Sequence, residues 1–247
     1  METWLGDGYT VIDTETTGVD RTRDRILEVG VARVPGDLAE AHIVVDPLVP
    51  VPDEITKLTG ITQAEVDAVG WDPTKAMAWL DRQVNWNGAL VGHNFLGFDL
   101  PFLIAWARWG LQEPLAARLA SACVVDTGAM FKGWRLGLRP LPDEHITAYC
   151  TRVLGMRVAG LKFNLATACE TFGIDVSDVQ AHRAGGDVIA TARLLDAMLP
   201  LFREWSSTLR VVCAWCGVVL HEGRCGVSHG ICRECKAKQL AGAGLPF

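Results

Sequence analysis

Short apolar runs rich in β-branched residues alternate along this chain with longer stretches of helical periodicity. Near the N-terminus, YTVID, RILEVGVARVP and AHIVVDP predict three strands spaced closely enough for an antiparallel meander. Farther on, GALVGHN and SACVVDT predict two more strands, separated by the largely apolar helix DLPFLIAWARWG. Strands first, and then strands alternating with helices, indicate an α/β fold with a mixed sheet covered by helices.

Capping signals mark several helix starts. PDEITKLTG and TQAEVDAVG predict two short helices, and Thr62 and Glu65 have the spacing of a capping box. The next helix begins with Asp72 as its N-cap and Pro73 at its first position. Beyond them the periodicity predicts helices over 145–154, 164–172, 178–197 and 199–209. The stretch KGWRLGLRPLPDE, residues 132–144, is rich in Gly, Pro and basic residues, which predicts a long surface loop or insertion.

Composition is that of an ordinary globular protein, with 49% hydrophobic residues in 247. No apolar run approaches the length of a membrane span, and METWLGDG lacks the basic and apolar regions of a signal peptide, so we predict a cytoplasmic protein. The formal charge of −6 divides into +3 on residues 207–247 and −9 on residues 1–206. An acidic body argues against a large contact surface on duplex DNA, but not against a small pocket that holds one strand end through metal ions.

Two carboxylates lie at the end of the first predicted strand, in TVIDTETTG. Asp13 and Glu15 are two residues apart, so their side chains point to the same face of the sheet. Like charges held so close repel unless something positive lies between them. The structural alternative is a strand end that frays into a solvated turn.

Two later segments add acids at similar places. VGHNFLGFDLPFL ends a strand in His93 and Asn94 and opens the next helix with Asp99, whose structural alternative is an N-cap. AHRAGGDVIATARLL carries His182 five residues before Asp187, which begins a run with an apolar flank. Each acid lies at the end of an apolar element, so the side chains can converge on one cleft.

Four acids in one cleft would be destabilising without divalent cations, and ligand sets made only of oxygen favour Mg²⁺ or Mn²⁺. A pair of such ions about 3.5 to 4 Å apart stabilises the attacking and leaving oxygens in phosphodiester hydrolysis. We therefore interpret the acidic residues as a candidate metal site.

The three segments DTETTG, NFLGFD and HRAGGD resemble, in order, the motifs of the DEDDh family of 3′-5′ exonucleases. This family includes the proofreading subunit of bacterial replicative polymerases, RNase T and oligoribonuclease. The H-x₄-D spacing of the third segment is the one that separates this branch from the tyrosine branch. The likeness covers roughly residues 8 to 197 and implies a ribonuclease H-like fold, a five-stranded mixed sheet with flanking helices.

The resemblance also implies roles for individual residues. Two Mg²⁺ or Mn²⁺ ions would be held by four acids: Asp13, Glu15, Asp99 and Asp187. His182 would act as the general base that deprotonates the attacking water. Binding of the terminal nucleotide would involve Thr16, Thr17, His93, Asn94 and Phe98. The two threonines would contribute largely through backbone groups, and structural support of the strand end is the alternative for His93 and Phe98.

A separate pattern occupies the C-terminus, where five of the eight cysteines fall within residues 213–235. The C-x₂-C-x₁₅-C-x₂-C spacing predicts a structural Zn²⁺ held by Cys213, Cys216, Cys232 and Cys235, with free or pairing thiols as the alternative. We expect His221, Cys225 and His229 to lie outside the tetrahedron, and Cys123, Cys150 and Cys169 to be buried thiols. The predicted domains are an exonuclease domain, residues 1–206, and a zinc module, residues 207–247. Four thiolates and one Zn²⁺ lower the formal charge of this module to +1, and substrate tethering, partner docking and structural capping remain open as its role.

The predicted function is a metal-dependent 3′-5′ exonuclease that releases nucleoside 5′-monophosphates from single-stranded DNA or RNA 3′ ends, with DNA slightly favoured. The alternative is a noncatalytic adaptor that recruits a polymerase or other replication or repair partner through the zinc module. A costly acidic cleft argues against the adaptor, because a binding module has no use for it. Proofreading, end trimming and degradation of short oligonucleotides stay open, as does homodimer formation. No membrane partner is predicted.

Overall fold

The computed structural model describes residues 5, 8–35, 41–141, 144–206, 210–221 and 227–242. Five strands form the main sheet in the order β3-β2-β1-β4-β5. Strand β1 is antiparallel to β2 and parallel to β4, so the predicted mixed sheet is confirmed. The strands are β1 (Tyr9–Thr16), β2 (Ile26–Val34), β3 (Ala41–Val44), β4 (Ala89–Gly92) and β5 (Val124–Asp126).

Nine helices of the described chain accompany this sheet in the sequence: α1 (Asp53–Thr59), α2 (Gln63–Val69), α3 (Pro73–Gln83), α4 (Asp99–Trp109), α5 (Glu113–Ser121), α6 (Thr127–Arg135), α7 (Ile146–Gly155), α8 (Leu165–Phe172) and α9 (Ala184–Ser206). The predicted N-caps are present: the Asp72 carboxylate accepts the backbone N–H groups of Thr74 and Lys75, and the Thr62 hydroxyl accepts that of Glu65. Among the described residues, no helix is long and apolar enough to cross a membrane.

Alternation along β1 divides the core between the two faces of the sheet. Val11 packs into the cluster that contains the apolar side chains of α7 and α9, whereas Ile12 packs into the cluster formed with α3 and α4. Asp13 and Glu15 continue the alternation of Val11, so both acids lie on the face that α9 covers.

A close approach of backbones brings α9 onto this face. A Cβ atom at Gly30 of β2 would lie 2.3 Å from the carbonyl oxygen of Ala184, the first residue of α9. Only glycine permits this approach, and Gly30 is directly opposite Asp13 in the β1–β2 register. The start of α9, with Asp187 in its first turn, is therefore held beside the two acids of β1.

Two sequence predictions of helix and loop are wrong in part. Instead of helices over 178–197 and 199–209, one helix begins at Ala184 and continues through Pro200 to Ser206; residues 207–209 lie outside the described residues. The predicted start fails because the preceding segment forms turns, in which His182 has a φ of 58°.

The predicted surface loop over 132–144 is also wrong at its beginning, since α6 continues to Arg135. Lys132 is 7% exposed, and its ammonium group donates to the carbonyl oxygens of Leu154 and Met156. Gly133 lies in the same helix, and its missing side chain leaves room for the Tyr149 hydroxyl, which would clash with a Cβ atom. Tertiary contacts thus extend a helix into a stretch whose composition is typical of a loop.

The C-terminal residues form a second, three-stranded sheet in the order β7-β6-β8. Its elements are β6 (Arg210–Cys213), β7 (Val219–His221) and β8 (Val227–Gly230), followed by α10 (Arg233–Gly242). In the described parts of the chain this sheet shares no strand with the five-stranded sheet. The sequence pattern predicts no secondary structure here, and none for α5.

Candidate active site

Three of the predicted acids meet at the end of β1. Asp13 and Glu15 from β1 and Asp187 from the first turn of α9 each offer a carboxylate oxygen, and these oxygens all lie within 4.8 Å of one another. Strand alternation aims the first two side chains at α9, and the close packing at Gly30 brings the third to them. We call Asp13, Glu15 and Asp187 the acidic cluster.

Asp99, the fourth predicted acid, reaches the same region from the first turn of α4. It is 4% exposed, and its Oδ1 accepts the Thr14 backbone N–H at 2.9 Å and the Thr14 hydroxyl at 2.6 Å. Asp99 is outside the acidic cluster, but its charge contributes to the raised pKa of Asp13. Thr14 was missed in the sequence analysis, although it lies between the two acids of the first motif.

The electrostatics of the site show an excess of negative charge. Burial, followed by repulsion from Asp99, Asp187 and Glu15, raises the pKa of Asp13 well above its usual value. Burial also raises the pKa of Glu15 to about 8, with Asp187 as the next cause, and that of Asp99 to about 7. Burial and neighbouring carboxylates both disfavour the charged forms of these acids, and a bound divalent cation would offset both effects. Carboxylate oxygens are the ligands preferred by Mg²⁺ and Mn²⁺. The residues present therefore fit divalent cations.

A buried ion pair that the sequence analysis missed borders the acidic cluster. Glu28 of β2 is fully buried opposite Glu15, and its carboxylate accepts from Arg183 at 3.0 and 3.1 Å (Nε) and 2.6 Å (Nη2). It also accepts the Ala184 backbone N–H at 2.8 Å, and Arg183 contacts Glu65 of α2 at 3.0 Å. The available signal was a glutamate at a core position of the apolar strand ILEVGVARV, because a buried charge requires a partner.

His182 directly precedes this arginine, in the turn before α9. It is exposed, and it lines a cavity of about 190 Å³ together with Asp187. Burial raises the pKa of Asp187 to about 6, while the charge of His182 and its backbone N–H act in the opposite direction. The structure thus brings His182 beside one member of the acidic cluster.

Thr16 and Thr17 are buried and use their hydroxyl groups within the loop that follows β1. The Thr16 hydroxyl donates to the carbonyl oxygen of Gly18 at 2.5 Å. The Thr17 hydroxyl accepts the Arg25 backbone N–H at 2.9 Å, and the Thr17 N–H donates to the Arg25 carbonyl oxygen at 2.8 Å. These bonds stiffen the loop.

His93 is tied into the protein through both ring nitrogens. Its Nε2 lies 2.8 Å from the carbonyl oxygen of Phe163, and its Nδ1 lies 3.0 Å from the Thr127 hydroxyl. Burial lowers the pKa of His93. This geometry favours the structural alternative for His93, a side chain that supports the end of β4.

Asn94 and Phe98 lie in the turn between β4 and α4. The buried Asp126 accepts the Asn94 and Leu96 backbone N–H groups at 3.1 and 3.0 Å and so fixes this turn. Asn94 is exposed, whereas Phe98 is half-buried and packs on Phe102 with ring centroids 5.0 Å apart. Asp126 carries no distinguishing signal in the sequence, because it occurs in an ordinary strand-to-helix junction.

The four predicted zinc ligands also come together. Sulfur atoms of Cys213, Cys216, Cys232 and Cys235 lie within 4.8 Å of one another, and Cys216 Sγ is 3.7 Å from Cys232 Sγ. A tetrahedral Zn²⁺ with bonds of about 2.3 Å requires sulfur atoms roughly 3.8 Å apart, so the cluster fits this ion. The Cys232 backbone N–H lowers the pKa of Cys213 to about 6, whereas hydrogen bonding to the Cys232 thiol raises the pKa of Cys235 to about 12. Cys225 and the side chains of His221 and His229 lie outside the described residues; Cys150 and Cys169 are buried and Cys123 is half-buried.

A mixed sheet covered by helices, with acids clustered where β1 ends, defines the class of protein: an α/β domain with an acidic site whose oxygens fit divalent cations. The exonuclease family RNase_T matches residues 10–195. The chain therefore belongs to this exonuclease family, and the resemblance to DEDD-type 3′-5′ exonucleases is confirmed.

Relatives are much longer than this chain. The PolC-type DNA polymerase III of Clostridium perfringens is 36% identical over 206 residues, which is 80% of this chain but 12% of that protein. The PolC-type enzyme of Mycoplasma pneumoniae is 28% identical over 197 residues, 76% of this chain and 11% of that protein.

Solved structures share the fold. Exonuclease I of E. coli, in complex with a dT13 oligonucleotide, matches with a TM-score of 0.59 and 20% identity, over 82% of this chain and 44% of that one. Exonuclease I of Methylocaldum szegediense matches with a TM-score of 0.58 and 21% identity, over 82% and 43%. These neighbours confirm the predicted ribonuclease H-like exonuclease fold.

Proposed function

We propose that this protein is a metal-dependent 3′-5′ exonuclease that hydrolyses single-stranded nucleic acid ends and releases nucleoside 5′-monophosphates. The observation that carries the proposal is the acidic cluster, whose carboxylate oxygens lie within 4.8 Å of one another. Arg183, the cation on its border, is engaged by Glu28 and Glu65. Its charge and that of His182 offset the raised pKa values of Glu15 and Asp187 only in part, and a divalent cation would offset the remaining repulsion.

In this proposal two Mg²⁺ or Mn²⁺ ions are held by Asp13, Glu15, Asp99 and Asp187. When bound, such ions stabilise negative charge on the attacking and leaving oxygens of a phosphodiester. Thr14 orients the Asp99 carboxylate through two hydrogen bonds. The acids would thereby position the cations to which the scissile phosphate binds, at the end of β1.

His182 acts as the general base that removes a proton from the attacking water. Two observations support this role. His182 lies in an exposed turn beside Asp187, where its ring can reach water. Imidazole is also suited to proton transfer near neutral pH. A test is the pH profile of kcat for His182→Gln, which should change in shape while the variant loses most of its activity. An unchanged profile would assign the base to another group.

The terminal nucleotide lies between the loop after β1 and the turn after β4. Thr16 and Thr17 contribute backbone groups, since their hydroxyls are already bonded. Asn94 and Phe98 contribute side chains, while His93 supports the strand end. DNA is slightly favoured over RNA as the substrate, in line with the dT13 oligonucleotide bound to the E. coli exonuclease I structure.

Residues 1–206 form the exonuclease domain and residues 207–247 a module with one structural Zn²⁺. The PolC-type relatives support association with a polymerase. The zinc module could mediate this association by binding the polymerase or another protein partner. A cytoplasmic location stays a prediction, as does homodimer formation.

The test compares wild type with Asp13→Asn, which keeps the shape of the side chain and removes its charge. Single-stranded DNA and RNA labelled at the 5′ end are incubated with Mg²⁺, with Mn²⁺ or without divalent ions. Wild type should shorten the labelled strand from its 3′ end and release nucleoside 5′-monophosphates, and the variant should not. Asp67→Asn, which removes an exposed carboxylate from α2, is the matched control and should behave as wild type. A folded wild type that cuts neither strand with either metal would overturn the proposal in favour of the adaptor.

A further inference from the structure

A second cavity, of about 280 Å³, lies between α4 and the loop that joins β1 to β2. None of the roles proposed above uses it. Aromatic side chains of α4 form one wall, and arginines of the loop contribute to the other.

The aromatic wall consists of Phe102, Trp106 and Trp109, which share one face of α4 at helical spacing. Phe102 and Trp106 are buried, but Trp109 is 51% exposed. A large aromatic ring left open to solvent at the mouth of a cavity can stack on a planar ligand.

The opposite wall is locally cationic. Residues 19–25 contain three arginines and two aspartates, which gives a formal charge of +1 within a strongly acidic body. Both aspartates hold the loop together: Asp24 accepts the Asp20 backbone N–H at 2.8 Å, and Asp20 accepts the Thr22 backbone N–H and hydroxyl.

Arg25 and Arg21 differ in the number of hydrogen bonds that their guanidinium groups make within the protein. Arg25 donates to the Arg23 and Asp24 carbonyl oxygens at 3.0 and 3.1 Å and lies 5.8 Å from the centroid of the Trp109 ring. Arg21 is exposed, and in the described part of the chain its guanidinium has neither a hydrogen bond nor an ion pair. Arg25 thus steadies the wall, while Arg21 is available to an anion.

Direct contacts connect both walls of the cavity to residues beside the active site. Thr17, next to the acidic cluster, is bonded to Arg25, and Phe98, next to Asp99, packs on Phe102. Trp109 follows Asp99 by ten helical residues, which is about 15 Å along α4. A stacked strand advances about 3.4 Å per nucleotide, so the cavity is several nucleotides from the reacting bond.

We propose that this cavity binds an upstream nucleotide of the single strand whose 3′ end occupies the active site. The base stacks on Trp109, and a backbone phosphate pairs with Arg21. Stacking on an aromatic ring accepts any base, which suits an exonuclease that must advance through every sequence. The inference rests on the proposed function and adds a determinant of substrate length to it.

The experiment measures kcat/KM of full-length protein on the dinucleotide dT2, which is too short to reach the cavity, and on dT12. Trp109→Ala should lower kcat/KM on dT12 about tenfold, mainly through KM, and leave dT2 unchanged. Trp109→Phe keeps a ring and should restore most of the loss. Arg21→Ala should weaken dT12 binding and reduce the slope of log K against log salt by about 0.7, the value for one phosphate of a single strand.

The matched controls are Trp71→Ala, which removes another exposed tryptophan, and Arg157→Ala, which removes an exposed arginine that does not line the cavity. Equal losses on both substrate lengths, or none on dT12, would overturn the subsite. If wild type cuts neither substrate, the proposed function fails instead. Fluorescence anisotropy of labelled dT12 then decides the subsite: equal affinities of wild type and Trp109→Ala would overturn it, and weaker binding by the variant would support it.

Discussion

The buried ion pair between Glu28 and Arg183 permits a stability prediction with a defined magnitude. The Glu28 carboxylate receives three donor contacts from Arg183 and one from the Ala184 backbone, with no exposure to solvent. Removing one partner of a buried pair typically costs 3–5 kcal/mol, because the other charge stays buried without its partner. Arg183 is 18% exposed and keeps Glu65, so we expect the lower end, about 3 kcal/mol, for Glu28→Gln.

Glu65→Gln is the matched control, since it removes a carboxylate from the same guanidinium at a site that is 30% exposed. Partly exposed pairs contribute little, and we expect a loss below about 1 kcal/mol. Urea denaturation with Mg²⁺ present gives the free energy of unfolding of each variant. The ions are included because Glu28→Gln also removes a negative charge near Asp13 and Glu15, which by itself would stabilise the protein. Bound Mg²⁺ limits this stabilising contribution. Losses below about 1 kcal/mol in both variants would refute the prediction that the Glu28–Arg183 ion pair stabilises the packing of α9 on the sheet.

Further predictions concern the acidic cluster, the contact between Gly30 and the start of α9, and the cysteine cluster. Burial raises the pKa of Glu15 to about 8 and that of Asp187 to about 6. The ordinary pKa of these carboxyl groups is about 4. Protein without divalent ions should therefore lose stability as the pH rises from about 4 to about 8. Added Mg²⁺ should therefore raise Tm more at pH 8 than at pH 5.5, and equal shifts in a thermal scan would contradict this. Gly30→Ala should destabilise the domain by several kcal/mol in urea, because its Cβ would meet the Ala184 carbonyl; a loss below about 1 kcal/mol would show that α9 can move away. Cys216→Ser should lower the zinc content measured by atomic absorption, and a full equivalent in the variant would exclude Cys216 as a ligand.

Several predicted features agree with the structure because local chemistry specifies them. Asp72 with Pro73 starts α3, and the two-residue spacing of Asp13 and Glu15 places both acids on one face of β1. These features depend on neighbours in sequence, and the periodicity of a strand or helix is a property of the chain alone.

Predictions failed where distant residues decide the conformation. Lys132 and Gly133 look like loop residues, yet they lie in α6, where Lys132 donates to carbonyl oxygens at the end of α7 and Gly133 leaves room for the Tyr149 hydroxyl. The start of α9 was placed too early because the turn at His182 depends on how Arg183 engages β2.

The sequence by itself indicated the family, through the resemblance of its three motifs, and the mixed sheet, through the order of its strands and helices. Spacing along the chain marked the candidate acids and the four cysteines. Only the tertiary structure decided which acids meet, how Asp99 is held by Thr14, and how Glu28 anchors the segment that carries His182. It also created the cavity beside Trp109, whose walls come from separate elements. The physical reason is that charge–charge repulsion, ion pairing and cavities depend on distances between side chains remote in sequence, and these distances exist only once the sheet and its helices have packed.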